Sequence, residues 1–315
     1  MVLQIYKIIR HIILNLTLVL TDFSENAKAA ESYALQVAIK IRANLLLYNA
    51  YTEQPNMRIS GNVVWPHDEP LSMEFQSISH LKTRVSELKK ELNFVDSTMF
   101  HPELSHTCNE GDLVRNLKDV VSKNIIWLVI MGTKGEGFAN NLLFGSNVFK
   151  VLENISCPVL IIPQNTVFEG LGKIAYATDL RSDDLFIIEW LHKFTQMFEA
   201  ELMIAHISPD TLSDQEYELS KNEIERIYRN KFPKTHITLF QGQDIKDSLL
   251  QIIEQRDMNI LALMHRKHGF FDSLFHASIS HKIVKHTKLP VLIFPDTEKN
   301  ANIGITTYGD SVLND

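Results

Sequence analysis

Two cysteines in 315 residues, Cys108 and Cys157, are too few for a disulfide framework. They fit no CxxC or zinc spacing, so a reducing cytoplasm is the expected setting. An excess of positive charge is missing too. The net charge is −7, which removes the electrostatic reason to expect nucleic acid as a partner. No apolar run is long enough to span a bilayer, because Asn15 and Thr17 interrupt the one near the start. Lys7 and Arg10 ahead of that run, and Ala27-Lys28-Ala29 beyond it, have the outline of a signal peptide. The repeat described next makes the same stretch a strand of the fold, so residues 1–15 are read as an N-terminal extension and no membrane partner is expected. What is present is 45% apolar and 22% charged, a globular composition with length for two domains.

The chain is written twice. "LVLTDFS" at 18–24 recurs as "AYATDLR" at 175–181, and "ANLLLYNA" recurs as "AELMIAHI". "NIIWLVIM" recurs as "NILALM", and "CPVLIIP" as "LPVLIFP", all in the same order. Short β-rich apolar runs alternate with amphipathic stretches, which predicts parallel βαβ units. In the first copy strands are expected near 16–21, 44–50, 103–108, 125–131 and 158–162. Helices are expected near 25–42, 71–93, 111–123 and 145–155. Leu71, Phe75, Ile78, Val85, Leu88 and Leu92 have helical spacing and are read as a core-facing stripe. The domains are placed at 16–164 and 172–296, with a polar tail at 297–315.

"GTKGEGFANNLLFGS", residues 132–146, joins a strand end to a helix start. Free backbone NH groups and the helix dipole favour an anion there, and glycine lets a phosphate approach closely. In an open parallel sheet, ligands collect where the strand order reverses. If the first and fourth strands flank that point, Asp22 and Gly132 face one crevice. The loop is neither a Walker A motif nor GxGxxG. A glycine-rich connection with no ligand is the plain alternative.

Gly132-x2-Gly135-x9-Gly145-Ser146, with "LVLTDFSENA" before it and "CPVLIIP" after it, resembles an ATP-binding universal stress protein domain. The whole chain resembles a tandem of two such domains. The resemblance implies two flavodoxin-like, Rossmann-like α/β domains, each an open five-stranded parallel sheet. They would form an internal pseudo-dimer through their last strands, "PVLII" and "PVLIF". It implies adenine or ribose contacts from Leu20, Thr21 and Asp22, and backbone groups from Ala50. Met131 and Gly132 would meet the ribose and α-phosphate, with Lys134 and Gly135 along the phosphates. Gly145, Ser146, Asn147 and Val148 would close on the β- and γ-phosphates. Leu20 stands where the family often has proline, and Asn147 and Val148 are not the small hydroxyl residues frequent there. The expected cofactor is ATP or ADP, with or without magnesium. A protein partner of unnamed kind and further pairing into a homodimer are also left open.

In the second copy the glycine positions are read as His265, His268 and Ala277, in a loop one residue shorter. Imidazoles and Cβ atoms would fill the space phosphates need, so no nucleotide is expected there. His265, His268, His276, His281 and His286 lie close in sequence, but no carboxylate or cysteine completes a zinc set. No metal site and no catalytic residue are assigned. The function expected is an ATP-binding stress-response regulator. A slow ATPase and a ligand-free interaction scaffold are its rivals.

Overall fold

The computed structural model describes residues 16–53, 72–133, 146–178, 184–208, 235–241, 257–265 and 289–295, with isolated positions between 215 and 252. The first half runs β1 (Leu16–Leu20), α1 (Glu25–Ile41), β2 (Asn44–Tyr51), α2 (Met73–Leu92) and β3 (Leu104–Glu110). It continues with α3 (Leu113–Lys123), β4 (Ile126–Gly132), α4 (Ser146–Asn154) and β5 (Val159–Ile162). The second half contains β6 (Lys173–Thr178), α5 (Asp184–Phe198), β7 (Glu201–Ser208), β8 (Thr235–Gln241), β9 (Ile260–Met264) and β10 (Val291–Phe294).

Local chemistry sets the helix ends. Ser24, Ser72 and Asp112 each accept a hydrogen bond from a backbone NH three residues on, capping α1, α2 and α3. At the other end of α1, Arg42 adopts φ 56°, and Ala43 N donates to Ala38 O at 3.0 Å. The end of α5 repeats this, with Glu199 at φ 57° and Ala200 N donating to Thr195 O at 2.9 Å. Both are left-handed helix stops made without glycine. The duplication therefore extends to backbone detail.

All ten strands join one sheet in the order β3-β2-β1-β4-β5-β10-β9-β6-β7-β8. Every neighbouring pair is parallel except β5 and β10, which run antiparallel with Leu160 facing Leu292. Each half is thus a five-stranded parallel sheet, and the last strands join them into the expected pseudo-dimer. That pairing removes two edges that would otherwise expose unpaired NH and carbonyl groups.

Side chains alternate between the two faces of the sheet, as strand geometry requires. On one face Val19, Leu47, Ile130, Leu160, Ile174 and Leu292 pack against α1, α2 and α5. On the other, Leu18, Tyr48, Val129, Ile161, Leu261 and Ile293 share a core with α3 and α4. Strands covered on both sides account for the unbroken apolar runs in the sequence.

Two details depart from the expected pattern. The α2 stripe is rotated: Phe75 is 55% exposed, while Leu81, Val85 and Leu88 are buried together with the polar Ser77 and Arg84. Polar partners described below draw those two inward. Leu71 lies outside the described residues. The β1–β4 pairing also slips by one residue between Leu16–Ile126 and Thr17–Leu128, leaving Trp127 as the extra residue. Trp127 stacks on Trp190 of α5, ring centres 4.5 Å apart, and so links the halves. Trp190 contacts Phe194 and Phe294 in turn, and Phe168 of the linker bridges Tyr33 of α1 and Phe198 of α5.

Candidate functional site

The strand order of the first half reverses between β1 and β4. Leu20 pairs with Tyr48 on one side and Met131 on the other, so Thr21, Asp22 and Gly132 leave the sheet at the same end. Ala50, one residue before the end of β2, lies beside them, half-buried. This is where an open α/β sheet offers a crevice. The side chains of Leu20 and Met131 are buried in the core shared with α3 and α4. Backbone groups are what these two can give a ligand.

The turn after β1 is tightly specified. Asp22 is exposed, and its Oδ1 accepts from Ser24 N at 3.1 Å and Ser24 Oγ at 2.6 Å. Phe23 adopts φ 66°, a left-handed conformation uncommon outside glycine. It is held there by its NH, which donates to Thr21 Oγ1 at 3.0 Å. Thr21 Oγ1 donates to Glu31 Oε1 at 2.5 Å, and Thr21 O accepts from Asn49 Nδ2 at 2.7 Å. Behind these, Ser77 Oγ donates to Asn49 Oδ1 at 2.8 Å, and Arg84 Nε donates to Glu31 Oε2 at 2.5 Å. Arg84 also pairs with Glu87. Burial pushes the Glu31 carboxyl up from its ordinary value, against the donors Thr21 and Arg84, which hold it down.

Glu31, Asn49, Ser77 and Arg84 were not among the residues the sequence pointed to. One signal was available: Glu31 is the sole acid between Ala27 and Ile41, in a helix otherwise rich in buried apolar residues. A lone charge on such a helix needs a partner.

Gly132 has a packing reason of its own. A Cβ there would lie 3.0 Å from Asn26 O and 3.1 Å from Asn26 C, in the first turn of α1. Strand β4 runs so close to that helix that a side chain would push its first turn back by a few tenths of an ångström. Gly132→Val is expected to lower stability by about 1–3 kcal/mol, seen as a lower melting temperature; an unchanged melt contradicts the close contact.

At the other end of the loop, Ser146 and Asn147 are exposed in the first turn of α4. Val148 is buried in the core at 1% exposure, so its NH, not its side chain, is what it offers there. Lys134, Gly135 and Gly145 lie outside the described residues. The described groups at these two places are an exposed carboxylate in the turn after β1 and an exposed hydroxyl and amide at the N-terminus of α4.

The second half differs, and the pairing corrects its alignment. Thr133 N donates to Ile162 O, and His265 N donates to Phe294 O. These are matching positions on β5 and β10, so His265 is the counterpart of Thr133, and Met264 that of Gly132. Counting on, Arg266 matches Lys134, Lys267 matches Gly135, Ala277 matches Gly145 and Ser278 matches Ser146. The two loops are equal in length, contrary to the sequence reading. The miscount came from matching Met131 with Met264, whereas the strand pairing matches Met131 with Leu263. Met264 is buried at 2% exposure where the first domain has Gly132.

The carbonyl of Thr178 faces His206 Nδ1 at 3.1 Å, the same 28-residue reach as from Thr21 to Asn49. Thr178 Oγ1 and Tyr176 Oη donate to Asp184, which is fully buried. Among the described residues, no group of three or more His, Cys, Asp or Glu is placed to hold a metal. His268, His276, His281 and His286 lie outside them. No described helix is long and apolar enough to cross a membrane.

Comparison with known proteins places these features. No curated protein matches the sequence. A universal stress protein from Archaeoglobus fulgidus DSM 4304 shares the fold with a TM-score of 0.64 at 16% identity, covering 90% of this chain and 97% of its own. A candidate universal stress protein from Pseudomonas aeruginosa UCBPP-PA14 gives 0.59 at 16% identity, covering 92% and 95%. A universal stress protein in complex with cAMP aligns over 48% of this chain and 98% of its own, at 19% identity and a TM-score of 0.34. At that score the ligand is a property of that protein alone. The model of the universal stress protein family matches twice, over residues 17–163 and 170–295. Those two spans make up most of the chain and coincide with the two halves of the sheet: the chain belongs to the universal stress protein family, as a tandem of two of its domains.

Proposed function

We propose that this chain is a stress-response regulator that binds ATP or ADP in its first domain and not in its second. The observation that carries the reading is the pairing of Leu20 with Met131. It sets Asp22 and the start of the glycine loop on adjacent strands at the reversal of strand order. Asp22 would meet the adenine or ribose, with Thr21 and the Leu20 and Ala50 backbones beside it. Lys134, Gly135, Gly145, Ser146 and the NH groups of Asn147 and Val148 would hold the phosphates, with or without magnesium. In the second domain Met264 and Lys267 stand where Gly132 and Gly135 stand in the first, which favours a single site.

A second reading has one observation in its favour. Gly132 packs tightly against Asn26, which gives that glycine a role without a ligand, as a scaffold with an inherited loop would predict. Titration with ATP separates the two. Gly135→Tyr is expected to abolish binding, since a side chain there would fill the phosphate path; undiminished affinity in that variant contradicts the nucleotide reading. Release of phosphate at a measurable rate would instead favour the slow ATPase.

A further inference from the structure

We infer that one face of α2 is a positioning surface for the Asp22 turn, so that Ser77, His80 and Arg84 set the geometry of the nucleotide site without touching the ligand. This rests on the proposed site for its consequence, but not for its geometry.

The three residues occur at helical spacings of three and four, on one side of α2. Each reaches the same four-residue turn by a different route. Ser77 acts through Asn49, which holds the carbonyl of Thr21. Arg84 acts through Glu31, which receives the Thr21 hydroxyl. His80 packs edge-on against the ring of Phe23, with centres 5.0 Å apart. Thr21 Oγ1 in turn accepts from the NH of Phe23, the residue in the left-handed conformation. Left to itself, a phenylalanine would leave that conformation, and Asp22, one residue earlier, would turn with it.

Among the described residues, the Glu31 link has no counterpart in the second domain. Ile188 occupies the place of Glu31 in the second, and the matching Thr178 is anchored to Asp184 at the start of its own following helix. Both threonine carbonyls are met from the second strand, by Asn49 and His206, but the hydroxyl reaches Glu31 within α1 in one half and Asp184 at the helix start in the other. A device that reaches from α2 to one carboxylate-bearing turn is expected where that carboxylate has work to do.

Hydrogen exchange on the full chain tests this, read at the Phe23 and Ser24 amides and joined to ATP titration. Arg84→Ala risks unfolding, so Ser77→Ala is the informative variant. Val85→Ala is the control, because Val85 is buried on α2 and has no bond to the turn. Ser77→Ala is expected to speed exchange at the two amides about tenfold and weaken ATP binding by a similar factor. Val85→Ala is expected to lower stability without singling out either amide. Exchange in Ser77→Ala equal to the native protein, or an equal rise in Val85→Ala, overturns the inference. If the native protein binds no ATP, the nucleotide reading fails, and the exchange rates still decide the role of α2.

Discussion

Arg84→Ala is expected to lower the unfolding free energy by about 3–5 kcal/mol, measured by denaturant titration. The loss is out of proportion to one exposed ion pair because Glu31 is fully buried and gets its charge partner from Arg84 Nε. Removing the guanidinium leaves a carboxylate in the core with the Thr21 hydroxyl as its remaining described donor. Glu31→Ala should cost less, because Arg84 keeps Glu87 as a charge partner. Replacing both, as Glu31→Leu with Arg84→Met, should recover most of the loss, since a buried pair contributes little over well-packed apolar side chains. A double variant as unstable as either single one contradicts this account.

The same residue gives a pH dependence with a defined sign. Burial raises the Glu31 carboxyl above its ordinary 4.5 in the folded state. The folded chain then holds that proton more tightly than the unfolded chain. The stability it contributes is fully present below the unfolded value and is lost as pH rises through the folded one. Glu31→Gln should remove that part of the slope.

Trp190→Ala is the second large effect, expected to cost about 3–5 kcal/mol. Its ring is buried between Trp127 of the first half, Phe194 of its own helix and Phe294 of the last strand. Truncation opens a cavity where the halves meet, in surroundings too well packed to close it. The stacked pair also has a spectroscopic signature. Two indoles 4.5 Å apart at 23° are expected to couple and give a paired positive and negative circular-dichroism band. That band should vanish in both Trp127→Phe and Trp190→Phe. If it survives either substitution, the two rings are not stacked across the halves.

The fold was legible because duplication and buried strands leave strong marks. Two-sided burial makes runs such as "IIWLVIM" and "PVLII" unbroken, and the repeat fixed which runs correspond. The join of β5 and β10 was expected from the family resemblance, which names the last strands as the pairing edge, and its antiparallel sense came from the structure. What stayed hidden depended on partners distant in sequence. Phe75 fitted the helical period yet faces outward, because Ser77 and Arg84 are drawn in by Asn49 and Glu31. No local pattern announces such bonds. The one-residue slip at Trp127 was equally silent, and so was the register that sets Met264, not His265, opposite Phe294 and so moved the second loop's alignment by one. Of the candidate site, Asp22, in the turn after β1, and Gly132, at the end of β4, lie at the same end of adjacent strands, as the reversal of strand order required. The buried brace behind Thr21 came from the structure.

The central claim is that one domain of the two binds an adenine nucleotide, and calorimetric titration of the full chain with ATP and magnesium tests it most directly. One ATP per chain, lost in Gly135→Tyr, is the predicted result. Two per chain would mean that Met264 and Lys267 do not close the second site, and no binding at all would contradict the nucleotide reading in favour of the scaffold.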